Sequence, residues 1–146
     1  MAHNNHVTDG VNKDVGPLYT IDDARDEFLY LAYDWEDPNP PPRVTVHDGI
    51  RVVRDDDLVG SKVRGGDCLI SSLPDHIDTI VYVQPRTGLA GVSLLDVAKR
   101  HGKKVRLFMP SSKRISTHQA CCIERGCEYE FHRIVAMPNL NLIAKK

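Results

Sequence analysis

The chain has 146 residues, a length that suits a single domain with one hydrophobic core. Its 19 lysines and arginines nearly balance its 20 aspartates and glutamates, which argues against a nucleic-acid-binding protein with a strongly basic surface. No apolar run approaches the length of a membrane span and the N-terminus has no signal-peptide core, so we expect no membrane partner.

The first part of the chain predicts an arm followed by a helix. Residues 1–16 are polar and aperiodic, as is typical of a flexible arm, and we place a single α/β domain over residues 17–146. Thr20 is a good N-cap residue, and the acidic and then apolar residues after it predict a helix over 21–33. The proline-rich run at 37–43 must end that helix.

A hairpin and a second helix come next. Two β-branched runs, 44–46 and 50–53, flank the dipeptide Asp48-Gly49, which is typical of a tight hairpin turn. A polar loop then leads into a helix that we predict over residues 63–73.

The second half of the chain alternates strands with helices. We predict strands at 79–83, 105–109 and 127–131, and helices at 90–101, at 116–125 and from 139 to beyond the last residue. This order is typical of βαβ units. We therefore expect an α/β fold: a small three-layer domain with a mainly parallel sheet, preceded by a hairpin and an N-terminal helix. The continuous apolar strand at 79–83 predicts burial on both faces of the sheet.

One edge of this sheet is the expected place for a ligand. Ligands of open α/β sheets bind beyond the carboxyl ends of the strands, and the loop that carries Lys62 leads to the same edge. Lys62 could be a catalytic amine, a phosphate-binding cation or a solvated lysine. Neighbouring Arg64 would lower the pKa of that amine and the three aspartates at 55–57 would raise it, so these residues leave the choice open.

The run from Arg54 to Arg64, Arg-Asp-Asp-Asp-Leu-Val-Gly-Ser-Lys-Val-Arg, resembles a known lysine motif. It is similar to the Schiff-base lysine segment of the fold type II (tryptophan-synthase-β-like) pyridoxal-phosphate enzymes, especially the 1-aminocyclopropane-1-carboxylate deaminase and D-cysteine desulfhydrase branch. The resemblance covers residues 43–146. It implies that Lys62 forms the Schiff base, and that Lys62, Arg64, Thr87 and Gly88 bind pyridoxal phosphate.

The chain departs from that family at the turn before the third helix. The turn at 86–90 lacks the asparagine with which these enzymes bind the substrate carboxylate. The chain also resembles short phage-borne relatives without the second domain that holds the cofactor phosphate. We therefore expect a non-catalytic or degenerate relative. It would be a structural or interaction protein, a phage-associated assembly component with protein partners or a homo-oligomeric state, cytoplasmic or virion-associated.

Two alternatives remain open. In the first, the protein is a pyridoxal-phosphate-dependent lyase or deaminase that uses Lys62 and needs a partner chain to complete its site. In the second, the segment Ser111–Arg114, between a strand and a helix, binds a small anion or a nucleotide.

The cysteines and histidines favour no metal site. The four cysteines lack the paired spacing of a zinc site, and reduced thiols in a cytosolic protein are the simpler interpretation. A metal site could combine His118 or His132 with Cys121, Cys122 or Cys127, but separate roles for these residues are favoured.

Overall fold

The computed structural model describes residues 20–133 and 136–146, so the arm predicted at 1–16 lies outside the described residues. The helices are α1 (Ile21–Leu31), α2 (Val63–Ser71), α3 (Ala90–Arg100), α4 (Thr117–Glu124) and α5 (Met137–Ala144). The strands are β1 (Arg43–His47), β2 (Ile50–Arg54), β3 (Thr79–Val83), β4 (Lys104–Pro110) and β5 (Glu128–His132).

Strands β3, β4 and β5 form a parallel sheet in that order, with Leu107 of β4 paired to Tyr82 on one side and Tyr129 on the other. Helix α3 packs on one face of this sheet and against α2 and α4, whereas α5 contacts β3 and β4. Because strand side chains alternate between faces, Ile80 and Tyr82 join the core under α3, while Val81 and Val83 line a cleft with α5. The predicted three-layer α/β fold is confirmed.

The hydrophobic core lies between the central strand β4 and the helices on the α3 side of the sheet. Leu107 and Met109 of β4 are completely buried against Val92 and Ala98 of α3 and Cys122 of α4. Since a buried aliphatic side chain contributes about 1.5–3 kcal/mol, this cluster fixes α3 and therefore the turn that precedes it.

Two short sequence motifs form the local structures that they predicted. Thr20 Oγ1 accepts a hydrogen bond of 3.1 Å from the Asp23 backbone N–H, and Asp23 Oδ2 accepts one of 2.8 Å from the Thr20 N–H, so a capping box starts α1. Asp48 and Gly49 have φ values of 50° and 80°, the left-handed backbone of a two-residue hairpin turn.

Two other predictions were wrong. Strand β3 lies at the edge of the sheet and none of its residues is buried: four are half-buried, and Val81 is 49% exposed. The last helix begins at Met137, with Pro138 in its first turn, and it ends at Ala144 with Lys145 as the C-cap instead of running past the last residue. None of the helices in the described segments is long and apolar enough to cross a membrane.

Candidate functional site

The loop that carries Lys62 lies against the beginning of α3. Ser93 Oγ in the first turns of α3 donates a hydrogen bond to the Val59 carbonyl. Gly60 has a φ of 94°, and a Cβ there would lie 3.0 Å from Leu89 Cβ, so the close approach of loop and helix requires glycine. Because Thr87 and Gly88 form the turn just before Leu89, the structure brings the predicted site residues to one edge of the domain.

Lys62 occupies the N-cap position of α2, with its side chain exposed to solvent. Its carbonyl accepts a hydrogen bond of 2.8 Å from Gly66 N–H and so begins the helix. Within residues 20–133 and 136–146, its amine has no hydrogen-bond or ion-pair partner. The amine is thus accessible, and no protein side chain in the described structure orients it.

Arg64, by contrast, is engaged by acceptors of the protein itself. Its Nε and Nη2 donate to the Asp55 carboxylate at 3.0 and 2.8 Å, its Nη1 donates to Asp37, and its Nη2 also donates to the Pro40 carbonyl at 2.6 Å. Hydrogen bonds to Asp55 and Asp37 raise the pKa of the guanidinium, and the same contact lowers the pKa of Asp55. We call Arg64, Asp37 and Asp55 the arginine clamp. It joins the proline-rich segment to the start of α2.

The arginine clamp bears on the predicted cofactor site. An anion bound at Arg64 would have to displace carboxylates that already satisfy the fork of the guanidinium. The sequence drew attention to Arg64 as a neighbour of Lys62, whereas the contact with Asp37 spans 27 positions of the chain and has no local signal.

A buried glutamine occupies part of the helix start where an anion was expected. Gln84 is fully buried, and its Oε1 accepts a hydrogen bond of 2.8 Å from Gly91 N–H in the first turn of α3. Its Nε2 donates to the carbonyls of Gly88 and Pro85 at 3.0 and 2.9 Å. Gln84 was not identified from the sequence. A polar residue directly after an apolar strand is the pattern that could have drawn attention to it.

The start of α4, which follows the predicted anion-binding segment Ser111–Arg114, is capped by the chain itself. At the start of α4, Ser116 Oγ accepts a hydrogen bond of 3.2 Å from Gln119 N–H, and Gln119 Oε1 accepts one of 3.1 Å from Ser116 N–H. The depression beside the segment Ser111–Arg114 has a volume of about 260 Å³, which is small for a nucleotide.

A polar cluster that the sequence did not reveal lies at the other end of α3. Asp67 of α2 is buried, and its Oδ1 lies 3.0 Å from His101 Nε2 and 3.6 Å from an Arg100 guanidinium nitrogen. Its Oδ2 accepts a hydrogen bond of 3.1 Å from Trp35 Nε1. Trp35, in the segment after α1, is therefore bound to α2 through its indole N–H.

Cys122 and His132 lie in different surroundings. Cys122 is buried, and burial raises the pKa of its thiol to about 11, with the nearby Cys127 and Cys121 adding to the effect. His132 lies 3.1 Å from Glu130 and stacks on the Phe108 ring at a centroid distance of 5.6 Å. In the described part of the chain, no three His, Cys, Asp or Glu side chains are grouped as metal ligands.

No protein-family model matches this chain, and comparisons with curated proteins and with solved structures find no match either. The resemblance of the Lys62 segment to fold type II enzymes therefore stays a prediction from its motif, and the function has to be argued from the arrangement of the side chains.

Proposed function

We propose that this protein is a non-catalytic interaction protein, a structural or assembly component that binds another protein chain through its N-terminal elements. The observation that carries this proposal is the exposure of apolar side chains on α1 and on the β1–β2 hairpin. No residue of α1 is buried, although the helix carries four large apolar side chains (Phe28, Leu29, Tyr30 and Leu31) along its second half.

Among the described residues, no element covers one apolar face of the hairpin. The pairing of Val44 with Val53 and of Val46 with Arg51 places these four side chains on one side of the two strands. Val46 and Val53 are 64% and 65% exposed, whereas Thr45 and Val52 on the other side are half-buried. We call Val44, Val46, Val53 and Arg51 the valine face.

Such a face indicates contact with another chain. A two-stranded hairpin is only marginally stable by itself, and apolar groups gathered on one exposed surface are typical of a protein interface. Burying the three valines would remove apolar surface from water at roughly 25 cal/mol per Å².

The surroundings of Arg64, Gln84 and Lys62 support a non-catalytic role. Arg64 is held by Asp37 and Asp55, and Gln84 occupies Gly91 N–H at the start of α3, so two groups that could bind an anion serve the fold instead. Lys62 is exposed to solvent, and its amine has no hydrogen-bond or ion-pair partner in the described structure to activate it.

Photocrosslinking at the valine face tests the interaction. A benzoylphenylalanine at position 46 should form a covalent adduct with a protein in an extract of the source cells, because Val46 belongs to the valine face and is 64% exposed. The same residue at the exposed Lys99 of α3 is the matched control and should give no adduct at that mass. Equal labelling from both positions, or none from position 46, would contradict the proposal.

One observation favours the alternative of a pyridoxal-phosphate lyase or deaminase: the Lys62 loop packs against the α3 start, beside Thr87 and Gly88. In that case Lys62 would hold the cofactor, whose pyridine ring would stabilise a substrate carbanion, and a partner chain would complete the site.

Absorbance spectroscopy separates the two proposals. Pyridoxal phosphate is added to the natural protein and to Lys62→Ala, and their near-visible spectra are compared. The interaction proposal predicts that the two spectra are the same. A saturable band that is present in the natural protein and absent in that variant, together with a lysine adduct at position 62 after borohydride reduction, would replace the interaction proposal with the enzymatic one.

A further inference from the structure

We infer that the partner which covers the valine face is a second copy of this chain, whose Tyr30, Tyr33 and Asp34 receive Arg51 and the flanking valines. This inference rests on the proposed interaction function and names its partner. Two exposed surfaces of the same chain carry apolar side chains and opposite charges.

The first surface carries an unpaired cation. Arg43 and Arg54, at the end of the hairpin away from the turn, form ion pairs with Asp57 and Asp56. Arg51 lies across from Val46, is exposed, and has no ion-pair partner in the part of the chain that the structure describes. A guanidinium among exposed valines is weakly hydrated and well suited to an interface with an aromatic or acidic group.

The second surface carries an unpaired anion. Tyr30 and Tyr33 are 81% and 85% exposed, and with Leu31 and Asp34 they line an open depression of about 480 Å³ that we call the tyrosine depression. Of the other carboxylates of this region, Asp22 and Asp26 bind Arg25. Asp34 has no cationic partner within residues 20–133 and 136–146.

The two surfaces complement each other. An arginine packs favourably over a tyrosine ring within about 6 Å of its centre, and Asp34 at the rim supplies the opposite charge. The valines would cover the rings and remove them from water. Within the described part of one chain, Arg51 and Asp34 each lack an ion-pair partner, so a second copy can supply each with the opposite charge.

A two-fold arrangement satisfies both surfaces at once. If each copy inserts its valine face into the tyrosine depression of the other, the contact occurs twice and no unpaired surface remains to extend a filament. This geometry accounts for the exposure of α1 and of the valine face within the described part of the chain.

Light scattering of the purified full-length protein tests the inference. The natural protein should have twice the mass of the chain. Arg51→Glu alone and Asp34→Arg alone should each weaken dimerisation by about tenfold or more, since both place like charges together. The double variant Arg51→Glu/Asp34→Arg should restore the dimer, because the charges are then exchanged.

A matched control and the contrary outcomes complete the experiment. Arg114→Glu alters an exposed arginine away from both surfaces and should leave the mass unchanged. Circular dichroism should show that all variants remain folded. A monomer at every concentration, or a double variant no better than the single ones, would overturn the inference. If a different protein is then crosslinked at position 46, the proposed interaction function still stands.

Discussion

The indole Nε1 of Trp35 donates a hydrogen bond of 3.1 Å to Oδ2 of Asp67, which is buried in α2. Trp35 is the single tryptophan of the chain, so tryptophan fluorescence reports on its surroundings. The other Asp67 oxygen contacts Arg100 and His101 at the end of α3. One carboxylate therefore connects the segment after α1 with two helices of the core.

Replacement of this carboxylate should cost a large part of the stability. We expect Asp67→Ala to lower the free energy of unfolding by about 2–4 kcal/mol, because it leaves the Trp35 N–H, the His101 ring and the Arg100 guanidinium without their shared acceptor. Urea titration followed by Trp35 emission measures the loss. Asp75→Ala, at an exposed aspartate, is the matched control and should change the stability by less than about 0.5 kcal/mol. A similar loss in both variants would contradict this role of Asp67.

The contact between Gln84 and Gly91 predicts a specific need for glycine. A Cβ at position 91 would overlap Gln84 Oε1 and lie 3.2 Å from Cys122 Sγ. We therefore expect Gly91→Ala to destabilise the protein by roughly 1–3 kcal/mol through overpacking, despite the higher helix propensity of alanine. Thermal unfolding followed by circular dichroism measures the change.

Gly66 offers the matched control in α2. A Cβ there would meet Leu94 and Val97 methyl carbons at 3.9 Å, which is ordinary van der Waals contact. Gly66→Ala should therefore be neutral or stabilise the protein by up to about 1 kcal/mol. If Gly91→Ala were as well tolerated as Gly66→Ala, the amide of Gln84 would not hold the start of α3 as described.

The arginine clamp predicts a dependence of stability on pH. Arg64 lowers the pKa of Asp55, and hydrogen bonds from Asn39 and Arg64 outweigh burial and lower that of Asp37. The folded protein then binds fewer protons than the unfolded chain, so stability rises with pH. The contribution should be complete above the unfolded aspartate pKa of about 3.9 and be lost as pH falls through the lower folded values.

Melting temperatures between about pH 2 and pH 7 test this dependence. The natural protein should melt above Arg64→Met at neutral pH, and the difference should shrink as the solution becomes acidic. Arg114→Met, at an exposed arginine outside the clamp, should follow the natural protein throughout. A gap between the natural protein and Arg64→Met that stays constant down to the lowest pH would show that Arg64 acts through packing rather than charge.

The features that the sequence predicted well are local ones. The N-cap at Thr20, the Asp48-Gly49 turn and the strand at 79–83 each depend on neighbouring residues whose backbone preferences agree with the final fold. The alternation of strands and helices then leaves few topologies for a parallel sheet, which is why the α/β class was predictable.

The features that the sequence did not predict depend on distant partners. Arg64 meets Asp37 across 27 positions, and Trp35 meets Asp67 across 32, with no pattern in either segment to indicate it. The exposure of Val81 follows from the place of β3 at the sheet edge, which the apolar run itself does not specify. The motif around Lys62 likewise could not reveal that Arg64 is engaged elsewhere.

The contrast between Lys62 and Arg64 gives a further prediction, since the two residues stand in one motif but in different surroundings. Lys62→Ala should change the free energy of unfolding by less than about 0.5 kcal/mol, because the exposed amine contacts no partner in the described structure.

Arg64→Ala should lower the melting temperature by several degrees, because two carboxylates and a carbonyl lose their shared donor. Arg64→Lys should recover little of that loss, since a lysine cannot span Asp37 and Asp55 with a planar fork. Differential scanning calorimetry of the three variants measures these shifts, and a Lys62→Ala variant as unstable as Arg64→Ala would mean that the amine holds the loop against α3.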